Sequence, residues 1–283
     1  MRKTYLLLST FFCFLASGIL MQSCIEQKQK PQAEITSSVI DTTVYLKSDV
    51  KSSPSCKIHI EYMYLTPASA EDSLSMLINS EIQKNLFEGK YIGVAPESVS
   101  TQMADNYIRS YRTDVLKLYE ADVYNGMDEQ DIPGWYNYEY DIQANLENGR
   151  DSIWNYTVTT FESTGGAHPN TYSKWLNIDA VSGKVLTAED VFKKEAEKKI
   201  CDLILQALIE EVNTRMKTDT IRTIDDLRSI GILLESDPYI PENFLLGKDG
   251  VSFLYNRYEI APYASGDFKL TIPHNEIETY LNK

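Results

Sequence analysis

The stretch that decides the fold is YNYEYDIQANLENGRDSIWNYTVTT, residues 136–160. Apolar and aromatic residues alternate strictly with polar ones over 136–146, which is typical of a strand with one buried and one solvated face. The dipeptide at 148–149, Asn-Gly, favours a hairpin turn, and alternation resumes over 154–160. The sequence therefore predicts an antiparallel hairpin near the middle of the chain.

Helical spacing dominates the segments that precede this hairpin. Apolar residues recur at helical intervals over 74–86 and again over 103–119, which predicts two helices with one core-facing stripe each. Before them, alternation over 56–65 predicts another strand. A strand, two helices and a hairpin together indicate an α+β unit.

The second half of the chain repeats this mixture of elements. A helix is predicted to begin at Thr187, whose hydroxyl suits an N-cap position, and a hairpin is predicted to turn at 248–250. A last strand over 268–272 precedes a short helix. The predicted fold class is α+β with two subdomains, each an antiparallel sheet packed against helices.

The N-terminus has the layout of a secretory signal peptide. Two cationic residues precede an apolar stretch at 6–15, and the segment 20–24, LMQSC, resembles a lipobox. Cleavage before Cys24 and attachment of lipid to its thiol are therefore expected. An uncleaved anchor helix is the alternative, but the apolar stretch is shorter than the roughly 20 residues that a span requires. The predicted location is the cell envelope, with the periplasmic face favoured over the cell surface.

Polar residues dominate the segment that follows Cys24, which favours a flexible tether. The predicted organisation of the chain is a signal peptide at 1–23, a lipidated flexible tether at 24–55, an N-terminal subdomain at 56–165 and a C-terminal subdomain at 166–283.

The charge of the chain limits its partners. The formal net charge is −14, so nucleic acid is excluded as an expected partner because its phosphates would be repelled. A cationic partner would instead be attracted. Acidity also keeps an exposed protein soluble, and that simpler interpretation stays open.

Two cysteines lie in the predicted subdomains. Export would permit a disulfide between Cys56 and Cys201, but small buried free thiols are common and the sequence does not show that the two residues are close. The sequence has no cysteine and histidine cluster of the zinc-binding kind. No metal ligand and no cofactor are predicted.

Two separated groups of motifs resemble one known family. The segments are STGGAHPN at 163–170, NID at 177–179, GKVLT at 183–187, DVF at 190–192, YEIAPYASG at 258–266 and IP at 272–273. Together they resemble an exported two-domain family of unknown function. That family forms standalone Gram-negative lipoproteins and the outer domain of a lysozyme-sensing anti-sigma factor, and it precedes the catalytic domain of peptidoglycan deacetylases.

This resemblance covers roughly residues 56–283. It implies an α+β fold in two subdomains and a binding role near cell-wall glycan or lysozyme-like proteins. It does not imply catalysis, because the deacetylase chemistry belongs to a separate domain with its own metal ligands.

The loop at 165–169, Gly-Gly-Ala-His-Pro, is the first candidate for a ligand site. Its glycines permit close backbone approach, and His168 is a natural base at neutral pH. A base also needs a nucleophile and an orienting group, and a metal needs more ligands than one histidine. The favoured interpretation is a sharp connection between the two subdomains, in which Gly165 and Gly166 supply positive φ, Pro169 fixes the exit and His168 bonds locally. Ligand contact and catalysis remain the alternatives.

Tyrosine is abundant in this chain, with 19 residues. Most are expected to fill strands and core, where tyrosine packs well. Tyr255, Tyr258 and Tyr263 flank a predicted turn, however, and are candidates for an aromatic surface patch.

The signal peptide, the tether, the negative charge and the lack of a catalytic set predict a non-enzymatic envelope lipoprotein. The resemblance implies that it binds cell-wall glycan or a cationic lysozyme-like protein. One alternative is a hydrolase of cell-wall carbohydrate that uses His168 with Glu162 or Asp179. Another is a structural lipoprotein whose partner is a second envelope protein. No catalytic residue is assigned.

Overall fold

The computed structural model describes residues 33–48, 50–128 and 132–282. The predicted signal peptide and Cys24 lie outside these ranges. Within them, the predicted α+β class is confirmed, because a six-stranded sheet and a three-stranded sheet pack against helices. None of the helices in the described ranges is long and apolar enough to cross a membrane.

The first sheet has its six strands side by side in chain order. The strands are β1 Glu34–Tyr45, β2 Ser55–Thr66, β3 Tyr138–Asn148, β4 Ile153–Ser163, β5 Asn170–Asp179 and β6 Val185–Leu186. Neighbouring strands pair antiparallel except β2 and β3, which pair parallel. The helices α1 (Ser73–Asn85) and α2 (Val99–Tyr124) lie in the connection between β2 and β3. A parallel pair requires such a long crossover, so the expectation of a wholly antiparallel sheet is corrected at this one pairing.

Residues 34–45 do not form the predicted flexible tether. They form β1, which pairs with β2 along its full length. Ile40 and Val44 pack against the first core, whereas much of the remaining strand surface is exposed. β1 lies at the edge of the sheet and buries few side chains. Its composition is therefore polar enough to resemble a linker.

The predicted hairpin at 136–160 is confirmed as β3 and β4, with Leu146 opposite Tyr156. The predicted core stripe of α2 is also confirmed, and its tyrosines contact tyrosines at and just before the start of β3. The pairs, with the distances between ring centroids, are Tyr107–Tyr140 at 4.0 Å, Tyr111–Tyr138 at 5.1 Å and Tyr119–Tyr136 at 5.7 Å.

The boundary predicted at 165/166 falls inside the first sheet. β5 and β6 continue that sheet beyond the loop, and Leu176 and Ile178 are buried in the same core as the hairpin. The second core begins with Val191. The division between the two units therefore follows β6, about twenty residues later than predicted, because strand pairing rather than the loop decides where the first unit ends.

Among the described residues, the second unit contains a three-stranded antiparallel sheet and four α-helices. Its elements are α3 Ala188–Val191, α4 Glu197–Met216, α5 Ile224–Ser229, β7 Phe244–Leu246, β8 Gly250–Tyr255, β9 Phe268–Pro273 and α6 His274–Ile277. The capping box of Thr187 and Asp190 is present. The helix predicted from Thr187 is nevertheless broken, because Phe192 is extended and forms a β-bridge with Leu281 before α4 begins.

Asparagine side chains join the two units. The Asn177 amide of β5 donates to the Phe244 carbonyl at 2.8 Å, and its oxygen accepts from the Leu246 N–H at 2.8 Å. Both partners belong to β7. Asn177 is 1 % exposed, so one buried side chain satisfies two backbone groups at the edge of the second sheet.

A second asparagine makes the reciprocal contact from the second unit. The Asn243 oxygen accepts from the Trp175 N–H at 2.9 Å, and its amide donates to the Ser173 carbonyl at 3.1 Å. Within the described ranges, no strand pairs with this stretch of β5 on its outer side, since β6 pairs only with Asn177 and Ile178. The interface is therefore a pairing of two strand edges through side chains.

The possible bridge between Cys56 and Cys201 is not formed, because both thiols are free. Cys56 lies on β2 in the first core, whereas Cys201 lies on α4 in the second unit near Tyr255. Burial raises the pKa of the Cys56 thiol to about 12.

Candidate functional site

The two sequence motifs that suggested a ligand site meet in space. The loop between β4 and β5 carries His168 and Pro169, and the loop after β8 carries Tyr258 and Tyr263. The Tyr263 hydroxyl donates to the Pro169 carbonyl at 2.9 Å, across 94 residues of sequence. We refer to His168, Arg257, Tyr258 and Tyr263 as the aromatic cluster.

His168 is the centre of this cluster. Its ring stacks on Tyr263 with a centroid distance of 3.8 Å and an angle of 19°. Its Nδ1 lies 3.1 Å from the Pro169 carbonyl and its Nε2 lies 2.9 Å from the Tyr258 hydroxyl. A neutral imidazole with its proton on Nδ1 would donate to the carbonyl and accept from the hydroxyl. His168 thus makes the predicted local contact through Nδ1, whereas its Nε2 contacts Tyr258, which lies 90 residues away.

Tyr258 is an exposed member of the cluster, with 59 % of its surface accessible. Its backbone has a φ of 68°, in the left-handed region that a tyrosine seldom adopts. Such a conformation persists only where the surrounding structure holds it, and here the hydroxyl is bound to His168. The exposed ring is thus fixed in place at the surface.

Gly165 brings the first loop close to another aromatic residue. Its φ is +76°, and a Cβ there would lie 2.0 Å from the Trp135 carbonyl oxygen. The Trp135 side chain is itself exposed. A Cβ on Gly166 would meet no atom within 4 Å, and its φ is not in the left-handed region. The predicted need for a positive φ is therefore confirmed at Gly165 and wrong at Gly166.

Tyr255 does not belong to the surface patch for which it was a candidate. It is 1 % exposed, because it is the last residue of β8 and faces the second core. Its hydroxyl donates to the Tyr239 carbonyl, and the two rings meet edge to face at 5.3 Å. Burial raises the pKa of the Tyr255 phenol.

A polar frame that the sequence did not reveal holds the second loop. The Asn256 oxygen accepts from the Ser173 N–H at 2.7 Å, and its amide donates to the Ser173 carbonyl at 3.0 Å. The Asn256 N–H donates to Glu259 at 2.8 Å, and the Tyr239 hydroxyl donates to the other oxygen of Glu259 at 2.9 Å. This frame ties the loop that carries Tyr258 to strand β5.

Arg257 is the other residue that sequence reasoning missed. Its guanidinium carbon lies 4.7 Å from the centroid of the Tyr263 ring, within cation–π range. The only available signal was its position directly before the motif at 258–266. The cluster therefore combines exposed aromatic surface with one positive charge.

The carboxylates considered as partners of His168 lie elsewhere. Asp179 is at the far end of β5 from Asn170, a separation of about 30 Å at roughly 3.3 Å per residue. Its carboxylate accepts from the Val181 and Ser182 N–H groups at 2.8 Å. The pairing of His168 with Asp179 is therefore wrong, since the distance is far beyond hydrogen-bond reach.

Glu162 faces the helix side of the first sheet, close to Tyr107. Burial first, and the Glu162 charge second, raise the pKa of the Tyr107 phenol. The groups that contact the His168 ring are Tyr258, Tyr263 and Pro169. Across the described ranges, no group of three or more histidine, cysteine, aspartate and glutamate residues is placed to hold a metal ion.

Comparison with known proteins shows similarity to a family whose activity is not known. Residues 189–275 match the family described as protein of unknown function, DUF3298. This match confirms the resemblance to a family of unknown function that the motifs indicated.

Two solved structures of DUF3298 proteins resemble the whole fold. One, from Bacteroides fragilis, is 28 % identical with a TM-score of 0.77, and the alignment covers 90 % of this chain and 95 % of that one. The other, from Pseudomonas aeruginosa, is 17 % identical with a TM-score of 0.53, covering 88 % and 95 % respectively, and shows a shared fold alone.

Curated relatives include the immunogenic proteins MPB64 of Mycobacterium bovis and MPT64 of Mycobacterium tuberculosis. Each is 24 % identical over 124 residues, which are 44 % of this chain and 50 % of the relative. The chain thus spans about half the length of the curated relatives that it matches.

Proposed function

We propose that this chain is a non-enzymatic lipoprotein of the cell envelope, anchored through Cys24, whose aromatic cluster binds cell-wall glycan. The observation that carries the proposal is the exposed Tyr258 ring, which His168 holds by a 2.9 Å hydrogen bond. An aromatic ring offers an apolar face on which the C–H face of a sugar can stack, while its hydroxyl and neighbouring polar groups bond to sugar hydroxyls.

The fixed position of the Tyr258 ring and its neighbouring loops supports a role in glycan binding. A long flexible side chain loses conformational entropy when it binds, whereas a tyrosine with few rotatable bonds loses little. The Asn256 frame and the stack of His168 on Tyr263 hold the surrounding loops before any ligand arrives. A preorganised surface of this kind converts more of its contact energy into affinity.

The test is a binding titration of the full chain with tetra-N-acetylglucosamine, followed by calorimetry. We expect Tyr258→Ala to weaken binding at least tenfold, which corresponds to about 1.4 kcal/mol. The matched control is Tyr124→Ala, because Tyr124 is 91 % exposed and belongs to α2 of the first unit. Absence of glycan binding by the unaltered chain, or equal binding by the Tyr258 variant, would overturn the proposal.

A cationic lysozyme-like protein is a second candidate ligand, favoured by the net charge of −14. Attraction between opposite charges would speed association and would be screened over about 8 Å at physiological ionic strength. Hen lysozyme serves as the probe at low and physiological salt. If it does not bind even at low salt, this candidate is discarded and glycan binding stands alone.

A further inference from the structure

We infer that the aromatic cluster selects a sugar that carries a carboxylate, and that Arg257 binds this carboxylate. The inference rests on the proposed glycan function and adds the chemical class of the ligand. The Arg257 guanidinium supports it, because this group has no ion-pair partner among the described residues.

Arg257 differs from the other half-buried arginines of the described ranges, Arg150 and Arg228. Arg150 pairs with Glu278 at 2.7 Å, and Arg228 pairs with Asp237 at 2.8 Å. Arg257 makes no ion pair with a carboxylate of the described residues, and its Nε is buried there without a hydrogen-bond partner. The buried Nε cannot itself reach a ligand, but the terminal nitrogens of Arg257 are not among the buried atoms and have no hydrogen-bond partner among the described residues. These terminal nitrogens are therefore the donors that an anion from outside the chain could bind.

The nearest acidic residue in sequence does not neutralise Arg257. Glu259 forms no ion pair with Arg257, and its two oxygens accept from the Asn256 N–H and the Tyr239 hydroxyl instead. The guanidinium lies over the Tyr263 ring instead. Stacking on an aromatic face orients the planar guanidinium, and its terminal nitrogens match the two oxygens of a carboxylate.

Tyr263 lies close to both the Arg257 guanidinium and the exposed Tyr258 ring. Its ring centroid is 5.6 Å from that of Tyr258 and 4.7 Å from the Arg257 guanidinium carbon. A sugar ring on Tyr258 would therefore carry its substituents toward Arg257. A neutral sugar would leave the guanidinium unpaired, whereas an acidic substituent would pair with it, so Arg257 discriminates between the two.

The test compares two cell-wall sugars that differ by one acidic group. N-acetylmuramic acid carries a lactyl carboxylate that N-acetylglucosamine lacks. We expect the full chain to bind the acidic sugar about tenfold more tightly than the neutral one, which corresponds to about 1.4 kcal/mol. The Arg257→Gln variant should lose this preference. The matched control is Arg109→Gln, because Arg109 is exposed on α2 and its loss removes the same charge from the first unit.

A ligand-side measurement keeps the inference testable if the Arg257 variant does not fold. The methyl ester of N-acetylmuramic acid removes the charge without altering the protein, and it should bind the unaltered chain no better than N-acetylglucosamine does. Equal affinity of the unaltered chain for the acidic and neutral sugars would overturn the inference and leave the proposed function intact. Failure of all three sugars to bind would overturn the proposed function itself.

Discussion

Replacing Asn177 with alanine should loosen the contact between the two units. The Asn177 side chain makes two buried hydrogen bonds of 2.8 Å to the edge of β7, one to the Phe244 carbonyl and one to the Leu246 N–H. Asn177→Ala removes both bonds at once. The methyl group that remains can neither donate nor accept, so two backbone groups lose their partner inside the interface.

The loss of stability follows from the Phe244 carbonyl and the Leu246 N–H, which are left without a partner. A buried donor or acceptor left without a partner costs about 1–3 kcal/mol, and water can replace part of the lost bonding at a sheet edge. We therefore expect the free energy of unfolding to fall by about 2–4 kcal/mol. Asn177→Asp should cost at least as much, because a carboxylate cannot donate to the Phe244 carbonyl and adds a buried charge.

The assay is urea unfolding of the full chain, with hydrogen exchange at the Leu246 amide as a local probe. Asn145→Ala is the control, since Asn145 is an exposed asparagine on β3 of the same sheet and its loss should change stability by less than about 0.5 kcal/mol. If Asn177→Ala costs no more than the control, or leaves the Leu246 amide fully protected, the side chain does not hold the units together and the reasoning is refuted.

Three further results are expected. Gly165→Ala should disrupt the loop and abolish glycan binding, since its Cβ would lie 2.0 Å from a carbonyl oxygen, whereas Gly166→Ala should be tolerated in the same titration. The Arg150 guanidinium lowers the pKa of the Glu278 carboxyl, so their pair is stabilising above the unfolded value of about 4.3 and is lost as pH falls through the lowered value. The melting-temperature difference between the unaltered chain and Arg150→Gln should therefore be present at neutral pH and vanish in acid; a difference that persists would contradict it. Cys56, with a pKa of about 12, should react with a thiol reagent at pH 8 only as the chain unfolds, and rapid labelling of the folded chain would show that it is accessible.

The hairpin was predictable because both of its signals are local. Alternation decides which face is buried, and the Asn-Gly dipeptide decides where the chain turns. Strand β1 lacks a comparable signal, since an edge strand buries few side chains and its backbone pairs on one side only. Ile40 and Val44 are its main core contacts. A polar segment with two half-buried aliphatic residues resembles a linker until its pairing with β2 is known.

The site was predictable only as separate parts. His168, Tyr258 and Tyr263 were candidates for chemical reasons, but no periodic pattern shows that residues 90 positions apart lie close together. Asn256 and Arg257 belong to no motif that would have marked them as part of a site. Asn256 acts across the interface, where it binds the backbone of β5. Arg257 lies on Tyr263, which belongs to the same loop after β8. The edge of β5 that receives Asn243 also receives Asn256 at Ser173. The same strand edge therefore joins the two units and positions the exposed tyrosine, which is why the site exists only in the assembled fold and could not be found in either motif alone.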